Sequence, residues 1–390
     1  MTTAYIVAAA RTAGGRRNGR LKDWHPADLA GTLIDALLDR TGIDPAAIED
    51  VVMGCVTQVG EQAFNVARQA ILSSRLSETV PGVTVDRQCG SSQQAIHFAA
   101  QAVMSGTADA VIALGVESMT RVPMNSAYLL PHEKGMGGPI SPVMLERRPG
   151  FAYNQFKGAE MMASKYGFER ADMDALALES HKRAARAANE GLFRGEILPI
   201  AIADADGNPA VHDVDEGIRF DATIESIGSV RTVIEGGRIS AATSSQICDG
   251  AAGVLIVSEA ALQAHGLTPL ARIHHMSVLG GDPEIMLETP ITATLRALDR
   301  AGLSIGDIDL YEVNEAFASV PLAWTKAVGA DPERLNVHGG AIALGHPMGA
   351  SGAKLATTLI HALRRRKLRY GLQTMCEGGG LANVTIFEAL

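Results

Sequence analysis

LDRTGI, residues Leu38–Ile43, returns as LDRAGL, residues Leu298–Leu303, with Gly42 and Gly302 standing 260 residues apart. A chance match has no reason to continue in register, so this offset tests whether one half of the chain copies the other. It continues. Ile48 and Glu49 fall on Ile308 and Asp309, each just ahead of a short apolar run, Val51–Met53 and Leu310–Val313. Cys89 falls on Gly349, where a Gly-rich turn again runs into a helical pattern, and Ala110–Leu114 falls on Tyr370–Thr374. The chain therefore reads as α/β, two copies of one strand–helix unit, and the alternation implies mainly parallel sheets covered by helices. One turn from each half is expected at a shared interface, with ligands beyond the carboxyl ends of strands, where Cys89 and Cys376 fall.

Around that repeat the elements follow from local chemistry. Ala4–Ala10 reads as a short buried strand. His25-Pro26-Ala27-Asp28 opens a helix, with Pro in the first turn and Leu29, Leu33 and Leu37 on one apolar stripe. Residues 119–239 have no counterpart in the second copy and read as an inserted loop domain. This leaves an N-terminal half over 1–118, completed by about 240–268, and a C-terminal half over 269–390. Within the insertion, Asn125–Gly150 is rich in Pro, Gly and Met and is expected to be an extended, irregular loop for subunit contact or a lid. A long polar helix is expected around Asp172–Asn189.

Composition narrows the class. The 390 residues are 47% hydrophobic and 20% charged, but only 4% aromatic with 41 glycines, so the core is aliphatic with many close backbone approaches. Four cysteines, Cys55, Cys89, Cys248 and Cys376, form no CxxC pair, which points away from a disulfide framework and a metal site. A reducing, cytoplasmic setting is expected. The opening residues lack a charged segment followed by a long apolar one, and apolar runs such as Ala108–Val116 are far short of the roughly 18–20 residues that span a bilayer. A net charge of −9 argues against a nucleic-acid binder, so an anionic ligand needs a local basic patch.

DRQCGSSQQA, Asp86–Ala95, follows VPGVTV, a run that reads as a buried strand, and precedes Ala95, Ile96, Ala99, Ala102 and Val103 at helical spacing. Cys89 thus sits at a helix N-terminus, whose free N–H groups can pull a thiol pKa from about 8.5 to roughly 3.5–7.5. A buried structural thiol is the alternative. Arg219, Arg231 and Arg238 form the best basic cluster for a phosphate-bearing ligand. The hydroxyls of the Ser244-Ser245-Gln246 turn either line that ligand or serve the turn. His274 and His275 are expected on opposite faces of a strand, not as a metal pair. Asn314 closes a strand, and a structural turn role rivals a catalytic one. In GGAIALGHPMGASG, His346 precedes Pro347, which biases its backbone to an extended turn, and surrounding glycines permit close approach. Cys376 stands immediately ahead of Glu377 and three glycines, Gly378–Gly380.

DRQCGSS, NEAF, GGAIALGHPMGASG and CEGGG, in this order across almost the whole chain, resemble the thiolases, the acyl-CoA C-acyltransferases. The resemblance implies duplicated βαβαβαββ halves forming a five-layered αβαβα core. It implies that Cys89 is the acylated nucleophile, that His346 deprotonates it and later activates coenzyme A, and that Cys376 moves the proton to or from the acetyl carbon. It further implies two oxyanion holes, one from His346 with a water held by Asn314, the other from the backbone N–H groups of Cys89 and Gly378. Arg219 and Ser245 are implied contacts for coenzyme A, which is substrate and product, with no cofactor permanently bound. A homodimer or homotetramer is implied. Ser92 stands where many thiolases have a second Gly after the cysteine, and Glu377 and Ala382 mark a CEGGGLA ending similar to bacterial degradative thiolases, including those of steroid side-chain breakdown. A ketosynthase-like condensing enzyme shares the fold class but carries histidine where this chain has Cys376. A non-catalytic acyl-CoA binder would keep the basic patch without using Cys89.

Overall fold

A computed structural model describes residues 2–390, so Met1 of the N-terminal half lies outside the described residues. The main strands are β1 (Tyr5–Thr12), β2 (Asp50–Gly54), β3 (Gly82–Val85), β4 (Ala110–Ser118), β5 (Cys248–Val257), β6 (Ala271–Gly280), β7 (Leu310–Val313), β8 (Tyr370–Glu377) and β9 (Leu381–Ala389). They hydrogen-bond in the order β7-β8-β9-β6-β1-β5-β4-β2-β3. Read outward from the β6–β1 join, the two halves have the same order. That join consists of only two residue pairs, Tyr5 with Arg272 and Ile6 with Ala271. The duplication is thus visible as two half-sheets hinged at their first strands.

The longer helices are α1 (Pro26–Thr41), α2 (Ser91–Ser105), α3 (Arg170–Asn189), α4 (Thr289–Ala301) and α5 (Ser351–Arg366). The motif LDR-x-G is the end of α1 and of α4, where Gly42 (φ 67°) and Gly302 (φ 68°) close the helix in the left-handed conformation that glycine adopts without strain. Alternate residues of each strand then supply two apolar faces. Val51, Met53, Ile112 and Leu114 pack outward against Leu29, Leu33 and Leu37 of α1. Val52, Val111 and Ala113 pack inward with Ile96, Ala99, Ala356 and Leu359, on α2 and α5. Leu310 and Phe387 close those two helices from the second half-sheet, whose other face, through Val313, Leu372 and Val384, packs on α4. The result is five layers, helix, sheet, paired helices, sheet, helix.

Three expectations are corrected. The sheets are not mainly parallel: β2–β3, β2–β4 and β7–β8 are parallel, whereas β1–β5, β4–β5, β6–β9 and β8–β9 are antiparallel. In the C-terminal half the tight Gly378–Gly380 turn makes β8 and β9 a hairpin, which only antiparallel strands can form. VPGVTV is not a buried strand; β3 is the sheet edge and leaves Val83 45% exposed. Asn125–Gly150 is not an extended loop, since it carries helices Ser126–Glu133 and Pro142–Arg147, neither burying any residue. The second of these is capped by Ser141, which accepts from the Met144 N–H.

The polar helix is α3, which turns Met173, Ala177, His181 and Ala184 inward. A bulge between Ile273 and His275 interrupts the alternation of β6, leaving His274 and His275 both half-buried. Among the described residues no helix is long and apolar enough to cross a membrane, and no cluster of His, Cys, Asp and Glu could hold a metal ion.

Candidate active site

The turn from β3 into α2 is shaped by short polar bonds. Asp86 Oδ1 accepts from the Gln88 N–H (2.7 Å), and Ser91 Oγ accepts from the Arg87 N–H (2.9 Å) and donates to the Gln88 carbonyl (2.6 Å). These bonds hold Gln88 at φ 49°, a left-handed conformation uncommon outside glycine and asparagine. Cys89 follows, buried, one residue ahead of the helix cap Gly90, where the repeat places it. The N–H groups of Cys89 and Gly378 both face its sulfur. Its ionisation corrects the expectation drawn from the helix terminus. Burial, then the charge of Glu377, push the Cys89 thiol up to about 12, against which the two amides pull only in part.

His346 enters from the other half. Its loop is packed onto the first half's turns, because Gly349 carries no side chain; a Cβ there would lie 2.7 Å from Cys55 Cα and from Glu117 Oε2. Ser351 Oγ lies 2.9 Å from the Pro347 carbonyl, to which it donates, and 2.5 Å from His346 Nδ1, from which it then accepts. This arrangement favours the tautomer protonated at Nδ1, and Nε2 is buried without a protein partner. Burial, and then Lys354, lower the imidazole pKa to about 4, so the ring is neutral. Lys354 also donates to the Leu344 carbonyl (2.5 Å) and lies 3.4 Å from Asp215 Oδ1, tying the loop to a buried pairing of Asp215 with Arg11. Ser351→Ala should lower kcat about 10–100-fold, less than loss of the positioned base itself, with Ser351→Thr restoring most of it. Steady-state kinetics of both variants check this, and equal loss in the two would count against the tautomer role.

Asn314 follows β7, and both its side-chain atoms are buried without a partner. The structural turn role is filled by its neighbour. Glu315 accepts from Ser180 Oγ (2.7 Å), Asn336 Nδ2 (3.0 Å) and the Ile342 N–H (3.1 Å), clamping the turn and leaving the Asn314 amide free. Asn314, Gly345 and Ser351 line a cavity of about 10 Å³, the space of one water molecule. Cys376 is the penultimate residue of β8, fully buried, its thiol pushed well up by burial, then by Cys89 and Glu377. The structure thus brings Cys89, Cys376 and the Gly378 N–H together, while the loop that carries His346 packs on the first half's turns.

Arg219 is exposed, and its segment is joined to the Ser245 turn by Gln246, whose Nε2 donates to the Gly217 carbonyl (2.9 Å). Arg238 leaves the expected basic cluster, since it lies 3.3 Å from Glu169 and 3.8 Å from Glu160. Sequence reasoning missed Ser351, Lys354 and Glu117 as supports. Ser92, where many thiolases have Gly, accepts from the Ala353 N–H (2.9 Å) and pins α2 to α5. The repeat could have pointed to Glu117, which the 260-residue offset pairs with Glu377.

Comparison with known proteins agrees across the whole chain. A family model described as thiolase, N-terminal domain, matches residues 4–260, and one described as thiolase, C-terminal domain, matches residues 267–389. The chain is 51% identical over 392 residues to steroid 3-ketoacyl-CoA thiolase FadA6 of Mycobacterium tuberculosis, covering all of this chain and 95% of that one. It is 41% identical over 402 residues to a 3-ketoacyl-CoA thiolase of Cronobacter sakazakii, covering both chains fully. The crystal structure of the Bacillus anthracis acetyl-CoA acetyltransferase superposes with a TM-score of 0.91 at 36% identity, covering 100% of this chain and 99% of that one.

Proposed function

Since the chain belongs to the thiolase family, we propose that it cleaves 3-ketoacyl-CoA with coenzyme A to acetyl-CoA and a shortened acyl-CoA, or runs the reverse condensation, through an acyl-Cys89 intermediate. In this reading His346 Nε2 takes the Cys89 proton as the sulfur attacks the keto carbon. The departing acetyl-CoA carbanion is held as an enolate and protonated by Cys376; the proton on His346 then passes to the Cys376 sulfur, and His346, neutral again, takes the coenzyme A proton as that thiol attacks and returns it to the Cys89 sulfur that leaves. His346 with a water held by Asn314 forms one oxyanion hole, and the Cys89 and Gly378 amides form the other. The observation that carries the reading is the Cys89 sulfur lying under those two amides, one from each half of the chain.

Incubation with a 3-ketoacyl-CoA, followed by peptide mass spectrometry, should place the acyl group on Cys89. No adduct in a chain that still binds acyl-CoA would leave the non-catalytic binder, and decarboxylation of malonyl thioesters would favour the ketosynthase-like reading. Thiolysis across linear and steroid-bearing 3-ketoacyl-CoA substrates reads the acyl class.

Arg219, next to Phe220 at 54% exposure, and Ser245 are the proposed coenzyme A contacts, a cation beside an apolar face. Residues 119–239 are taken as the domain that supplies this surface and oligomer contacts. A working thiol nucleophile needs a reducing setting, so the cytoplasm is the proposed compartment. A homo-oligomer, dimer or tetramer, is proposed through the open edge of β3, where Val83 is joined by Phe64 at 89% and Leu72 at 55% exposure. Val83→Lys should shift the mass in light scattering toward a smaller assembly; an unchanged mass would exclude this edge.

A further inference from the structure

The 260-residue offset pairs Glu117 at the end of β4 with Glu377 at the end of β8, and pairs Gly349 with Cys89. In the first half the carboxylate is fully served. Glu117 accepts from the N–H groups of Val56 (2.9 Å), Thr57 (3.0 Å) and Gly349 (2.8 Å) and from Gln62 Nε2 (2.9 Å). In the second half the same carboxyl has lost its donors. Glu377 is wholly buried and neither oxygen has a hydrogen-bond partner. The Cys89 N–H, counterpart of the Gly349 N–H, faces the sulfur instead. A side chain on Gly90 would overlap the Glu377 carboxyl, so that carboxyl lies directly against the Cys89–Gly90 backbone. Arg87 Nε is also buried without a partner and makes no ion pair with Glu377 among the described residues. Leaving a buried carboxyl unserved costs the fold stability, so packing does not account for its presence.

We propose that Glu377 is a positioning residue that governs proton release from Cys89: neutral, it lets negative charge form on the sulfur; ionised, it opposes that charge. The groups facing it are Arg87 and Cys89 on the turn ahead of α2, Cys376 on its own strand, and the Asn383 N–H from β9, outside hydrogen-bonding geometry. Burial raises Glu377 to about 8, with Arg87 and that N–H easing it down, so its charge changes within the working range of an enzyme. Its part in turnover rests on the acyl-Cys89 reading; its effect on the thiol does not.

The test is the rate of iodoacetamide alkylation of the Cys89 peptide, followed by mass spectrometry from pH 6 to pH 10 on the full chain. In the unaltered protein the rise with pH should break near the Glu377 ionisation, at about 8. In Glu377→Gln, and in Glu377→Ala as a second neutral variant, the rise should be unbroken and the rate above the break about tenfold higher, as one pH unit of thiol shift gives. Glu117→Gln should keep the break, because its carboxylate is committed to four donors. The same break in either folded Glu377 variant, or its loss in Glu117→Gln, would overturn the proposal. Because alkylation needs no acyl-CoA, these outcomes are separate from the acyl-adduct test above.

Discussion

Replacing Cys89 by alanine is expected to abolish turnover in both directions, lowering kcat by about 10⁴-fold or more, the scale on which covalent catalysts lose rate with their nucleophile. The size of the effect follows from what remains. With sulfur gone, coenzyme A would have to attack the keto carbon directly, without the split into two easier steps. The two amides that face the sulfur would still hold an oxyanion, so binding of acyl-CoA should survive. The resting pair is a neutral thiol and a neutral imidazole, since burial raises the Cys89 thiol to about 12 and lowers His346 to about 4. In the proposed mechanism the proton therefore moves as the sulfur attacks, not before it. Steady-state thiolysis, paired with mass spectrometry of the acyl adduct, checks both parts. Residual turnover within about 100-fold of the unaltered chain would mean that another group carries the acyl chain.

Much of this arrangement was legible because a duplication leaves its period in the chain. LDRTGI and LDRAGL mark helix ends closed by Gly42 and Gly302, and everything at the same offset, from β2 and β7 to the turns bearing Cys89 and Gly349, followed. Strand direction did not follow, because apolar runs such as Val254–Val257 read alike whether they pair parallel or antiparallel. The edge position of β3 was equally hidden: VPGVTV has an interior strand's residues, and only the sheet order shows that no strand among the described residues pairs with its outer edge. For Cys89 the local rule at a helix terminus pointed the wrong way. Two amides lower the thiol, but burial and a carboxyl 288 positions on in the chain outweigh them, and no local reading contains that neighbour. Ser351 was missed for a similar reason. Within GASG it looks like turn chemistry, and its role appears only when its Oγ is seen between the Pro347 carbonyl and His346 Nδ1.

Cys376→Ala should separate the two halves of the reaction. Acyl transfer from acyl-CoA onto Cys89 should stay within several-fold of the unaltered rate, while carbon–carbon bond formation and cleavage fall about 10²–10⁴-fold, the contribution of a positioned acid–base group. The reason lies in where each proton sits. Transferring an acyl group from one sulfur to another needs a base for the thiol, which the proposed mechanism assigns to His346, and never touches the acetyl carbon. Making or breaking the carbon bond requires a proton at that carbon, and Cys376 is the second sulfur, near enough to Cys89 that Cys89 opposes its ionisation. Its pushed-up thiol holds its proton until a carbanion, a far stronger base than water, is formed beside it. Exchange of label between acyl-CoA and coenzyme A measures the first half, and condensation measured in the same preparation gives the second. If both fall together, Cys376 supports the fold of the β8–β9 hairpin and the proton comes from elsewhere. If label exchange persists while condensation is lost, and Cys89→Ala loses both, the division of labour between the two sulfurs holds.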